Sequence, residues 1–217
     1  MGTQMLLSSS PLALGLPDAD ITYHPAWLDH AEAASLLATL LATTPWSQRT
    51  LRVAGLTMPL PRLTAWVGDP GAVYAYSGIR EVPLPWTPML ADLRHRCGTA
   101  CGTPFNSVLL NYYRDGRDQV GWHADDELEL GPAPVIASVS LGAPRVFALK
   151  PRGLASARPV RLSLLPGSLL VMRGTTQTHW LHSLPADRTC QAPRINLTFR
   201  WISPMEAPCP QTPRSRA

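Results

Sequence analysis

The chain has 217 residues, 45% of them hydrophobic and 16% charged, which is enough length and apolar content to bury one sizeable core. No run approaches the ~18 apolar residues that cross a bilayer, no basic segment leads into an apolar one at the start, and Leu6 stands where myristoylation after Met1-Gly2 needs Ser or Thr. A net charge of +4 and a pI of about 9.1 exclude a strongly acidic chain and give a mild bias towards polyanionic partners.

Residues 1–20 are small, polar and punctuated by proline, and read as a flexible, loosely attached N-terminal arm. Asp29 followed by Glu32 resembles a capping box with Asp in place of Ser or Thr. Leu36, Leu37, Leu40 and Leu41 follow at helical spacing, so a helix should run to just before Pro45. Short β-like pieces, among them Leu63-Thr64-Ala65-Trp66-Val67, fill the stretch from Pro59 to Gly78. Thr87-Pro88 starts a second helix with proline at its first position; Met89, Leu90 and Leu93 form its buried stripe and Gly98 its stop. From Phe105 onward the pattern turns to strands, at 105–113, 134–141, 145–150, 159–164, 168–173 and 194–202. Asp115-Gly116, Gly142-Ala143-Pro144 and Pro166-Gly167 separate them. Residues 203–217 contain four prolines and read as a disordered, Pro-rich tail. Two helices followed by many short strands indicate an α+β, mainly β chain: a β-sandwich or jelly roll backed by N-terminal helices, in a single domain over 21–202.

Cys97, Cys101, Cys190 and Cys209 form no CxxC pair and no regular framework, so reduced thiols are expected. A zinc site from Cys97, Cys101 and His95 is the alternative to small cysteines buried at a helix end. Lys150 is the only lysine among the 19 basic side chains. That bias fits genomic base composition as well as it fits the reading of phosphates and base edges by arginine.

The strand Pro193-Arg194-Ile195-Asn196-Leu197-Thr198-Phe199-Arg200-Trp201 carries the most chemical information. Side chains alternate faces, so Arg194, Asn196, Thr198 and Arg200 point one way and Ile195, Leu197, Phe199 and Trp201 the other. A strand with one apolar face and two arginines opposite is no solvated edge; its polar face needs an anion. Upstream, His123-x-Asp125 puts an imidazole and a carboxylate on one face of an extended segment. A third ligand must come from afar, and His179 and His182 are both candidates that spacing does not separate. Two histidines and one carboxylate leave positions open on an octahedral metal, as in non-heme Fe(II) oxygenases. Arginines beside such a metal suit a dicarboxylate cosubstrate, because the guanidinium fork matches carboxylate geometry. A zinc hydrolase would not need the paired arginines.

Five motifs in order then make a specific resemblance: Asn111-Tyr112-Tyr113-Arg114-Asp115-Gly116; His123-x-Asp125-Asp126-Glu127; Pro134-Val135-Ile136-Ala137-Ser138-Val139-Ser140-Leu141-Gly142; His179-Trp180-Leu181-His182-Ser183-Leu184; and Arg194 to Arg200. Together they resemble the AlkB family of Fe(II)/2-oxoglutarate-dependent nucleic-acid demethylases, from about Pro61 to Trp201. The likeness is greatest to the branch containing the duplex-preferring vertebrate homologue.

The resemblance implies a double-stranded β-helix (jelly roll), with a nucleotide-recognition lid at about 50–80 and the catalytic jelly roll at about 105–202. It implies His123, Asp125 and His182 as Fe(II) ligands, with His179 beside the site. It implies Arg194 on the distal carboxylate of 2-oxoglutarate, Arg200 near the proximal one, and Asn111, Tyr113 and Asn196 completing that pocket. O2 is the second cosubstrate. The expected reaction is oxidative demethylation of 1-methyladenine- and 3-methylcytosine-type bases in DNA, with RNA as the alternative, by a cytoplasmic monomer of the bacterial cytosol and nucleoid.

A damaged base must leave the stack to reach a buried iron. Tyr74 and Tyr76 match the family's lid, Tyr76 stacking on the flipped base opposite His123. Asp126 and Glu127 at the mouth would favour cationic bases. Duplex-acting relatives carry a bulky finger that fills the vacated stack. The matching stretch here is Arg52-Val53-Ala54-Gly55-Leu56, and Ala54 is too small to fill it. Either Val53 or Leu56 does so, or single strands are preferred. Arg49, Arg52, Arg62 and Arg80 would meet phosphates near this edge. The rival readings are an oxygenase acting on protein or lipid, and a nucleic-acid-binding module without catalysis.

Overall fold

The computed structural model describes residues 10–53, 56–72, 74–76, 79–154 and 156–203. In chain order the elements are β1 (Leu12–Ala13), β2 (Asp20–His24), α1 (His30–Thr43), β3 (Thr50–Val53), β4 (Leu56–Pro59), β5 (Leu63–Gly68), β6 (Tyr74–Tyr76), β7 (Ile79–Glu81), α2 (Pro88–Cys101), β8 (Ser107–Tyr113) and β9 (Val120–His123). After a 3-10 turn at Leu128–Leu130 come β10 (Ile136–Gly142), β11 (Arg145–Pro151), β12 (Val160–Leu164), β13 (Ser168–Arg173), the one-turn helix α3 (Thr176–His179), β14 (Trp180–Leu184) and β15 (Arg194–Arg200).

Seven strands form a large sheet in the order β1-β2-β13-β10-β15-β8-β5, and four form a smaller one, β12-β11-β14-β9. Pairing within both is antiparallel. Period-two alternation explains how they stack. Ala137, Val139 and Leu141 of β10, Leu169 and Val171 of β13, and Ile195, Leu197 and Phe199 of β15 join α1 and α2 in one core. Ile136, Leu170 and Met172 face the other way and meet Phe147, Leu149, Leu164 and Trp180 in a second. The large sheet is therefore covered on both faces, by helices outside and by the small sheet inside. The polar side of β15 opens into that inner space.

Local signals set the helix starts. Asp29 caps α1 by accepting from Glu32 N at 2.8 Å, and Thr87 caps α2 by accepting from Leu90 N at 3.3 Å. The capping box is only half made, because the Glu32 carboxylate turns to Arg96 instead of back to its cap. Gly98 does not stop α2. The helix runs through it to Cys101 and ends at Gly102, whose φ of 67° is the left-handed cap. Gly98 instead admits the returning chain: Thr103 N donates to its carbonyl, and a Cβ there would lie 3.2 Å from Thr103 O. Cys97 is fully buried, and burial pushes its thiol far up, as suits a packing residue. The alternative zinc set of Cys97, Cys101 and His95 does not form a ligand group among the described residues.

The stretch read as a loose arm contributes structure from Leu12 onward. β1 pairs with β2, β2 extends the large sheet beside β13, and Trp180 Nε1 donates to Pro17 O at 2.8 Å. Residues 1–9 and most of the tail, 204–217, lie outside the described residues. Trp201 does not continue the apolar face of β15; the strand ends at Arg200 and Trp201 is 46% exposed, while Ile202 fills the inner core. Among the described residues no helix is long and apolar enough to cross a membrane.

The β10–β11 turn supplies a test of the fold. Gly142 has φ 84°, and a Cβ there would come within 2.4 Å of Pro193 O, just ahead of β15. Gly142→Ala is expected to cost about 2 kcal/mol or more, combining left-handed strain with displacement of the strand entry. Urea unfolding of wild type and variant measures it.

Candidate metal centre

Cross-strand pairing builds the centre. His182 of β14 sits opposite His123 at the end of β9, their rings 4.2 Å apart between centroids. Asp125 lies just beyond β9, where its backbone N donates to the buried Gln177 side chain at 3.0 Å. The three side chains offer ligand atoms all within 4.8 Å of one another. His123 Nδ1 lies 2.8 Å from Gly121 O; a carbonyl can only accept, so Nδ1 carries the proton and Nε2 keeps the lone pair. Phe147 stacks on His182 from the inner core at 5.2 Å. This donor set fits a divalent metal that keeps positions open for other ligands. His179 is not part of it: it ends α3, exposed, and its carbonyl accepts from Arg152 N.

The electrostatics keep Asp125 and His182 deprotonated. Burial pushes the Asp125 carboxyl up, but Arg200, then His182 and His123, outweigh this and hold it at about 2. Arg200 Nη2 donates to Asp125 Oδ1 at 2.7 Å, with both groups almost wholly buried. Burial, then His123, lowers His182 to about 3 against the opposing pull of Asp125.

Beside the triad lies a cavity of about 80 Å³, lined among others by Asn111, Tyr113, Arg194, Asn196 and Arg200. Register on the large sheet puts these groups together, since Arg194 is opposite Tyr113 and Asn196 opposite Asn111. Arg194 is 2% exposed and its guanidinium lies 5.2 Å from the Tyr113 ring centroid. It donates to Ser140 Oγ at 2.9 Å, its Nε has no partner, and among the described residues no carboxylate pairs with it. Burial lowers its pKa to about 10, which leaves it cationic at neutral pH. Asn196 has already spent its amide donors on Ser138 Oγ and Val139 O, so it shapes this wall from within the sheet.

Two residues here escaped the sequence reading. Arg62, expected at the phosphate edge, lines the cavity and donates to Asn111 Oδ1 at 2.8 Å. Arg145 is 2% exposed and donates to the carbonyls of Asp115, Asp118 and Pro185 behind Tyr113. Only its place in the alternation of β11, in phase with inward Phe147 and Leu149, could have flagged it.

Towards solvent a second cavity of about 310 Å³ reaches the triad, walled by Arg49, Arg62, Trp122 and Glu127 among others. Asp126 does not stand free at this mouth; it pairs with Arg152 at 2.6 Å. Tyr74 and Tyr76 form β6, hydrogen-bonded to β7, and Arg52 and Val53 belong to β3, paired with β4. The side chains of Arg52, Val53, Tyr74, Tyr76 and Arg80, and all of Ala54 and Gly55, lie outside what the structure describes.

The metal-free centre has a pH signature. Folded His182 stays neutral down to about 3, whereas in an unfolded chain it takes a proton near its ordinary value of 6.5. Its contribution to stability is therefore complete above pH 6.5 and is lost as pH falls, by at most ~1.4 kcal/mol per pH unit. Asp125 adds a second loss between its ordinary 3.8 and about 2. Unfolding measured in chelator between pH 7 and 4.5 should steepen accordingly. His182→Asn should flatten the profile to the residue left by His24, which burial and Arg173 also lower.

A family model described as the 2OG-Fe(II) oxygenase superfamily matches residues 20–200. The chain is 40% identical over 192 residues to Alpha-ketoglutarate-dependent dioxygenase alkB homolog 3 of Mus musculus, covering 85% of this chain and 66% of that protein. It is 46% identical over 160 residues to DNA oxidative demethylase ALKBH2 of Mus musculus, covering 71% and 67%. With the ALKBH2 of Arabidopsis thaliana it shares 37% over 209 residues, covering 85% and 67%. The chain thus spans just under two thirds of the homolog 3 proteins it matches. The solved structure of OsALKBH1 shares the fold, with a TM-score of 0.59 at 15% identity over 83% of this chain and 96% of that one. A match over almost all of the described chain, with relatives at these identities, makes this protein a member of the 2OG-Fe(II) oxygenase superfamily and, within it, of the AlkB family.

Proposed function

We propose that this protein is an Fe(II)- and 2-oxoglutarate-dependent dioxygenase that repairs alkylated nucleic-acid bases of the 1-methyladenine and 3-methylcytosine type by oxidative demethylation, releasing formaldehyde and succinate. Arg194 carries the reading. A buried guanidinium without a carboxylate partner among the described residues is costly unless an anion joins it, and this one shares a cavity with a two-histidine, one-carboxylate set. Iron bound with 2-oxoglutarate would supply O2 activation and the oxidation of the methyl group.

The chain's own residues supply binding, orientation and dryness. Arg194 and Tyr113 take the far carboxylate of the oxoacid, and Arg145 backs Tyr113. Arg200 holds Asp125 ionised and oriented, and Gln177 fixes the backbone from which Asp125 projects. Phe147, Leu164 and Met172 close the inner wall against water. Glu127 in the outer cavity favours a cationic base. Tyr74 and Tyr76 stack on it, and Val53, Ala54 and Gly55 form the finger. We place the enzyme in the cytosol as a monomer acting on DNA, with RNA as the alternative substrate; its three described cysteines are free thiols.

The test incubates the protein with Fe(II), 2-oxoglutarate and ascorbate and a panel of methylated oligonucleotides, single- and double-stranded, with a peptide control. Formaldehyde release with loss of the methyl mass is expected from the nucleic acid, and more from single strands because Ala54 cannot fill a vacated stack. His182→Ala should be inactive and His179→Ala active. Turnover of the peptide alone, or formaldehyde release independent of 2-oxoglutarate, would overturn the reading.

Arg194→Ala should raise the 2-oxoglutarate concentration needed for half-maximal turnover by about 10- to 100-fold, the worth of a charge-assisted hydrogen bond. Oligonucleotide affinity should barely move. Titration of succinate production against cosubstrate gives the first number and fluorescence anisotropy the second.

A further inference from the structure

The outer side of the small sheet carries a feature that catalysis does not use. Lys150, the only lysine, lies with Nζ 4.5 Å from the ring centroid of Trp122, reaching across β14 from β11 to β9. Trp122 is 40% exposed and also walls the outer cavity. The segment 150–161 holds Lys150, Arg152, Arg158 and Arg161 and no acidic residue. Arg161 on β12 pairs with Ala148, two residues from Lys150, so alternation puts it on the same face. Arg152, Arg158 and Arg161 are exposed. Only Arg152 meets a carboxylate, that of Asp126; among the described residues Lys150, Arg158 and Arg161 have no acidic partner.

An indole at the rim of a cavity, capped by a cation and continued by further cations along one sheet face, has the composition of a single-strand track: a stacking side chain at the exit and a positive path for the phosphates. Building on the nucleic-acid reading above, we propose that the strand flanking the target nucleotide leaves the mouth past Trp122 and runs over the outer face of the small sheet, its phosphates meeting Lys150 and Arg161. Affinity should depend on substrate length beyond the target nucleotide, because the track is empty when the oligonucleotide is too short to reach it.

The experiment compares wild type with the double variant Lys150→Ala/Arg161→Ala on a 3-methylcytosine trinucleotide and on a single-stranded 15-mer with the same centre. Binding of an unmodified 15-mer is measured by anisotropy across a salt series. The proposal expects the advantage of the 15-mer over the trinucleotide in kcat/KM to shrink in the variant. It also expects the slope of log affinity against log salt to fall by about 1 to 2, up to one per lost phosphate contact. An unchanged salt slope, or an equal loss on both substrates, overturns it. If neither methylated substrate is turned over by wild type, the demethylase reading fails, while the salt slope of the unmodified strand still decides for or against the track.

Discussion

A guanidinium and a carboxylate buried 2.7 Å apart between two sheets are the contact on which the rest depends. Removing either partner would strand a charge in the interior, a loss of about 3–5 kcal/mol. The pair holds together because β15 delivers Arg200 from the large sheet while β9 and β14 deliver Asp125 and two imidazoles from the small one. Arg200 thereby holds Asp125 as an anion at neutral pH, and that anion lies beside two imidazoles in the candidate metal centre. The second arginine of β15, Arg194, is left at the other end of the same strand face with no carboxylate partner among the described residues.

Positioning relies on residues that touch no reactant. Gln177 accepts from the Asp125 backbone, Gly121 fixes the His123 tautomer, and Arg145 knits the loops carrying Asp115, Asp118 and Pro185 behind Tyr113. Each is a hydrogen bond to main chain. Such bonds hold a loop in register without constraining what the reacting side chains do, so the site can be rigid in its frame and open at its centre.

What could be read from the sequence divides by range. Asp29 and Thr87 announce helix starts because a cap is a contact between residues three apart. β15 announces both faces because alternation is local and its two environments differ so sharply. By contrast β9 and β14 are short and carry Trp, His and Ser in place of a strand-like run; they exist because they pair with each other, and the pairing that aligns His123 with His182 is invisible to a window of neighbours. The choice between His179 and His182 has the same origin: one turn of helix, α3, carries His179 outside before β14 begins. Gly98 misled because glycine marks both helix ends and close approaches, and only the returning Thr103 distinguishes them. Asp126 looked like a free charge at the mouth because its partner, Arg152, is distant in sequence and near only across the sheet.

β15 is the last strand in chain order, yet it lies inside the large sheet, between β10 and β8. A chain emerging vectorially therefore holds β8 and β10 with unsatisfied edges through the synthesis of more than fifty further residues. Such edges invite pairing with other chains. Insertion of one segment then closes the sheet, completes the helix-facing core with Ile195, Leu197 and Phe199, and brings both arginines to the cavity in the same event. The three candidate ligands all precede β15 in the chain, so its arrival adds the arginines rather than the ligands: until then Asp125 lacks its Arg200 partner and the cavity lacks Arg194.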